Sequence, residues 1–137
     1  MADITKISTA SLDPVSARAV PFISGLVAGE LLQKASPCYI LGEEVFMSGS
    51  SVTETFNIVS GSLIQTRVDG FTAESVLSGE PVTLFGAGAR FSYSSGLMSG
   101  SPLFVGVSSG SLSYTKSFEG DLPVARVITS TDIIILK

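Results

Sequence analysis

From residue 26 onward, glycine and serine interrupt this chain so often that no long amphipathic helix has room to form. The tripeptide Ser-Gly-Ser stands at 48–50, 60–62, 99–101 and 109–111. Glycine supplies the positive φ of a tight reversal, and serine supplies local backbone hydrogen bonds. Between these breaks lie short β-branched and aromatic runs: PCYIL, EVFM, ETFNIV, SLIQTRV, FTAESVL, PVTLF, ARFSY, LFVGV, LSYT, PVARVIT and DIIILK. In ARFSY the residues Ala89, Phe91 and Tyr93 alternate with Arg90 and Ser92, the period of a half-buried strand. Many short strands separated by Gly/Ser turns predict an all-β fold, a small β-sandwich or β-barrel-like domain. The irregular spacing of the turns excludes a solenoid or propeller repeat.

Two glycine signals need a decision. In PVTLFGAGARF, an apolar run leads into Gly86 and Gly88, as in a dinucleotide-binding loop. That fingerprint needs a third glycine at position 91 and a following helix. Position 91 is Phe91, and FSYSSG has no helical period. The stretch therefore reads as strand, glycine bend, strand. Asp69-Gly70, between SLIQTRV and FTAESVL, predicts a hairpin turn.

The first 25 residues differ from the rest. Asp13-Pro14 opens a helix start, with Asp as N-cap and Pro at the first helical position, and Pro21 ends it. At most one short helix is expected, over 14–20. Residues 1–25 are expected to form an extended N-terminal arm lying on a neighbouring subunit, anchored by Ile4, Ile7, Leu12 and Val15. Residues 26–137 are expected to form a single β domain. Its last strand, with Ile133, Ile134, Ile135 and Leu136, is apolar on both faces. It must be central in its sheet or covered by another subunit.

Composition narrows the function. The chain holds 137 residues with 15% charged side chains and a net charge of −4. Its basic residues are scattered from Lys6 to Lys137, without the clustered cations that nucleic-acid binding needs. No apolar run approaches the roughly 18 residues of a membrane span. MADITKISTA lacks the basic-then-apolar order of a secretory leader. Histidine is absent, which removes Ser-His-Asp and Cys-His chemistry and the commonest zinc ligand. The one cysteine, Cys38, stands among Pro37, Tyr39 and Ile40 and reads as a buried structural thiol. Glu119-Gly120-Asp121 is the nearest approach to a calcium loop, and two carboxylates fall short of the oxygens required. Glu43-Glu44 reads as an exposed hairpin end. Arg67, Arg90 and Arg126 are expected to face outward from strands or to pair with acids of another subunit. The chain is accordingly expected to be no enzyme and to need no cofactor or metal.

Four elements, in order, are similar to the small decoration, or cement, proteins of tailed-phage capsids. They are Ala28-Gly29-Glu30-Leu31, the run from Ala73 through Gly79-Glu80-Pro81-Val82-Thr83-Leu84, the hairpin Gly96 to Val105 followed by Ser109-Gly110-Ser111-Leu112, and the strand Pro123-Val124-Ala125-Arg126-Val127-Ile128. The resemblance spans about three quarters of the chain and brings no catalytic residue with it. It implies a structural virion protein, made in the host cytoplasm, that sits on the outer surface of the head as a homotrimer. There it would clamp neighbouring major capsid protein subunits, touching neither nucleic acid nor membrane. The alternative is a carbohydrate-binding or adhesin-like β module of a phage tail or fibre. Against it stand the absence of Trp and a supply of only Tyr39, Tyr93 and Tyr114 for a sugar platform.

Overall fold

The computed structural model describes residues 3–14, 22–55, 62–65, 67–116 and 121–136. Within them the chain is all β, without a helix. The strands are β1 Ser11–Leu12, β2 Phe22–Ala28, β3 Pro37–Leu41, β4 Glu44–Met47, β5 Gly49–Thr55, β6 Ser62–Gln65, β7 Gly70–Thr72, β8 Pro81–Phe85, β9 Arg90–Ser92, β10 Pro102–Val105, β11 Leu112–Ser113, β12 Ala125–Val127 and β13 Asp132–Ile135. The expected helix over 14–20 lies almost wholly outside the described residues.

Two assemblies carry the fold. The first is a closed barrel in the order β2-β4-β3-β7-β8. Pairs two residues apart point inward from four of its strands: Leu26 and Ala28, Cys38 and Ile40, Val45 and Met47, Val82 and Leu84. That is the pleat alternation expected of strands with one buried face. The second is a six-stranded sheet in the order β1-β9-β13-β12-β10-β11. Phe91, Leu103, Val105, Ala125, Val127, Ile133 and Ile135 form its packed face. The outer wall of the barrel closes onto that face, with Phe71 against Phe91 at a ring separation of 5.8 Å. Strands β5 and β6 form a separate two-stranded ribbon.

The glycines at the joint are fixed by close approach. A Cβ on Gly49 would lie 2.7 Å from the Ser109 backbone, and one on Gly110 would lie 2.6 Å from Met47 Sδ. The β10–β11 turn is thereby seated directly on the barrel, and the Gly110 amide donates to the Ser48 carbonyl at 2.8 Å. The bend in FGAGAR is the other connection. It takes the chain from β8 of the barrel to β9 of the sheet, with Gly88 at φ +95° and its amide bonded to the Ile135 carbonyl. The bend turns a corner between two assemblies, as its sequence implied.

Asp69-Gly70 does not make the expected hairpin. β6 pairs with β5, whereas β7 pairs with β3 and β8. The Asp69 carboxylate instead accepts the Ile40 amide at 2.8 Å. Gly70 sits in the barrel wall, where a Cβ would come within 2.7 Å of Leu84 Cβ. Tertiary partners thus claim both residues of the turn signal.

Candidate functional site

The two surfaces expected to meet other subunits are largely satisfied within the chain. Ile4, Ile7 and Leu12 pack against the chain's own sheet core. The N-terminal segment bonds both margins of that sheet. Leu12 pairs with Phe91 on β9, and the Ile4 amide donates to the Leu112 carbonyl on β11 at 2.8 Å. The Asp3 carboxylate accepts the amides of Val107 and Ser108, each at 2.9 Å. Residues 3–12 are therefore a strap on their own domain. Val15 lies outside the described residues. The arm boundary at residue 25 also moves, because Phe22–Ala28 is a barrel strand. At the other terminus β13 lies between β9 and β12. Ile133 and Ile135 are buried, Ile134 is half-buried and Leu136 is exposed. The strand's apolar inner face is covered by its own chain.

Lys6 latches the strap to the barrel. Its Nζ donates to the Lys34 carbonyl at 2.6 Å and to Ser36 Oγ at 2.8 Å, and it lies 5.8 Å from the centre of the Tyr93 ring. Burial lowers its pKa from 10.5 to about 8, and the Lys34 charge adds to the effect. The nearby Cys38 thiol is buried in the barrel core, and burial, helped by the Glu30 charge, pushes its pKa well up. That makes it the structural thiol its sequence context implied, since the reactive species is the thiolate. Glu30 has a structural task as well, accepting the Met47 amide at 2.8 Å.

Contacts within the chain also engage the three arginines expected on strands. Arg90 meets Asp132 at 2.8 Å, Arg67 meets Asp69 at 3.3 Å, and Arg126 donates to the Gly100 carbonyl at 3.0 Å. Glu119 lies outside the described residues. Among the described residues no group of acids, Cys or His is disposed to hold a metal.

Several large apolar side chains stay outward, among them Met98, Val107 and Leu122 in the connections of the sheet and a group on the barrel. Phe22 is 60% exposed, Leu77 67% and Leu31 56%. Between β2 and β8 the pairing runs Phe22↔Phe85, Ile23↔Leu84, then Leu26↔Val82, so β2 carries one extra residue. This bulge at Ser24-Gly25, with Gly25 at φ +79°, bends and twists the strand. It sets the Phe22 ring beside Phe85, 6.3 Å between centres. Outward Phe22, Pro81, Thr83 and Phe85 then form one side of a cleft of about 470 Å³. Ala73, Glu74 and Val76 form the other side. Leu31 and Leu77 flank the Leu32↔Val76 bridge, in register opposite one another. A second hollow follows the strap, between Asp3–Ile7 and Ser94–Leu97, with Tyr114 at its side.

Sequence reading missed this outer wall. Phe22 fell in the stretch read as an arm. The signal available was the Phe-Ile-Ser-Gly run itself, two large apolar residues before a glycine suited to a bulge.

Compared with protein-family models, curated proteins and solved structures, the chain finds no match.

Proposed function

We propose that this chain is a structural virion protein that adds to the outer surface of an assembled phage head and stabilises contacts between major capsid protein subunits. The observation that carries this reading is how the four resembling elements pair. Ala28-Gly29-Glu30 and Gly79-Glu80-Pro81-Val82 lie side by side in the barrel, with Val27 opposite Pro81 and the Gly79 amide on the Ala28 carbonyl. Pro102-Leu103 and Ala125-Arg126 lie side by side in the sheet. Elements that are far apart in sequence thus make one framework in each assembly, as expected if the whole pattern encodes a shared architecture. The outward apolar residues of the barrel supply the contact area that a non-enzymatic binder needs. Avidity across many capsid subunits turns weak single contacts into a firm coat.

A homotrimer at local threefold positions is the assembly the resemblance implies, and β13 no longer adds a motive for it. The carbohydrate-binding alternative loses ground, because Tyr93 and Tyr39 are buried and offer no platform. The role needs no cofactor, nucleic acid or membrane. Purified chain should be added to expanded, undecorated heads and imaged. Density on the outer surface, clustered about threefold positions, is the expected result. No addition, or density on the inner face, overturns the reading.

A further inference from the structure

We propose that the cleft between β8, with Phe22 of β2, and the segment 73–76 is a peptide-recognition site. It takes an extended apolar segment flanked by Lys or Arg, supplied by a capsid subunit. The inference rests on the proposed head-binding role for the identity of the partner, not for the partner's chemistry.

The chemistry follows from three features of the cleft. Its walls carry apolar side chains from both sides, Phe22, Val76, Pro81 and Phe85, beside the polar Glu74 and Thr83. At about 470 Å³ it falls in the range of roughly 300–1,000 Å³ usual for pockets that enclose small groups, so it admits side chains and not a folded surface. Part of the surrounding backbone is already paired, since β8 pairs with β2 and, at Leu84 and Phe85, with β7. The side chains that a segment inserts then supply the recognition.

The sign of the flanking charge follows from the rim. Glu74 lines the cleft directly, and Glu80 precedes Pro81 at its end. Both glutamates are exposed, and no Lys or Arg lines the cleft. Such a field favours cations beside the inserted apolar residues and repels an acidic segment.

The test uses the full chain, isotopically labelled, and short synthetic peptides. One carries Leu-Phe between paired lysines, a second has Glu in place of Lys, and a third has Ser in place of Leu and Phe. The basic apolar peptide should shift the amides of Phe22, Val76, Thr83 and Phe85 in a saturable way. Binding should weaken as salt rises, because exposed charges are screened. The acidic and the serine peptides should bind at least tenfold more weakly. Phe22→Ser, at an exposed position, should abolish saturation with the fold intact, and Glu74→Lys should weaken the basic peptide several-fold. Unmoved cleft amides, or equal binding of the acidic peptide, would overturn the proposal. If the peptide binds but heads remain undecorated, the head-binding role falls and peptide recognition stands. If heads are decorated while the cleft amides stay unmoved, this inference alone falls.

Discussion

The sheet and the barrel place their exposed apolar residues differently. In the sheet, Phe91, Tyr93, Leu103, Ile133 and Ile135 are essentially fully buried, and the strap covers the margin at β11. In the barrel, a smaller core of Leu26, Val45, Val82 and Leu84 coexists with Phe22, Leu31 and Leu77 turned outward. The sheet's exposed apolar residues, Met98, Val107 and Leu122, lie in its connections, whereas on the barrel Phe22 stands on a strand beside a cleft. For a chain with so few charges, apolar residues held outward on a rigid wall are the natural means of meeting a partner.

The largest break in that contrast is expected in the sheet. Phe91→Ala removes a ring at the junction of both cores and should cost about 3–5 kcal/mol of unfolding free energy by denaturant titration. A cost near zero would mean that the two assemblies are not packed through Phe91 and Phe71.

The joint comes next. Gly110→Ala places a methyl group at φ +83° against Met47 Sδ and should destabilise by about 1–3 kcal/mol. A loss of that size would show that the β10–β11 turn must lie directly on the barrel. No loss would show that the turn has room to lift.

The strap can be probed by pH. Folded Lys6 has a pKa of about 8 against 10.5 when unfolded, so between those values the unfolded chain binds a proton that the folded chain lacks. Stability should therefore rise with pH from about 8, by on the order of 2 kcal/mol for Lys6 alone. The buried thiol of Cys38 and phenol of Tyr93 act oppositely, since burial pushes both pKa values up. Unfolded, these groups ionise from about pH 9 and pH 10, and that draws stability down again. A maximum near pH 9 is expected, and Lys6→Met should abolish the rise toward it. A rise that survives in Lys6→Met would assign it to another group.

The smallest effect belongs to the barrel's outer wall. Phe22→Ser should change stability by no more than about 0.5 kcal/mol, as at other surface positions, while impairing addition to heads. A cost comparable to that of Phe91→Ala would make Phe22 a core residue and erase the contrast.

Most strands were legible because their alternation is local. ARFSY and PVTLF each announce their buried face in five residues. What was not legible depends on distant partners. Ile4 and Ile7 resemble arm anchors until Leu112 and Tyr93 are known to accept their amides. Asp69-Gly70 resembles a turn until Ile40 claims its carboxylate. The cleft was hidden for a related reason. It arises from one extra residue in β2 relative to β8, and neither strand contains that mismatch by itself.

The strap also sets an order of events during synthesis. The barrel draws its strands from residues 22 to 85, so a ribosome that has released that length has released a closable unit. The sheet draws on both termini, and Asp3 bonds to Val107 across a separation of 104 residues. Contacts of such range are slow to form and late to be rewarded. Chains stalled after residue 100, outside the exit tunnel, are expected to protect barrel amides from exchange and to leave those of Ile4 and Ile7 open. The barrel is expected to be finished first, and residues 3 to 12, made before it, to find their place after it.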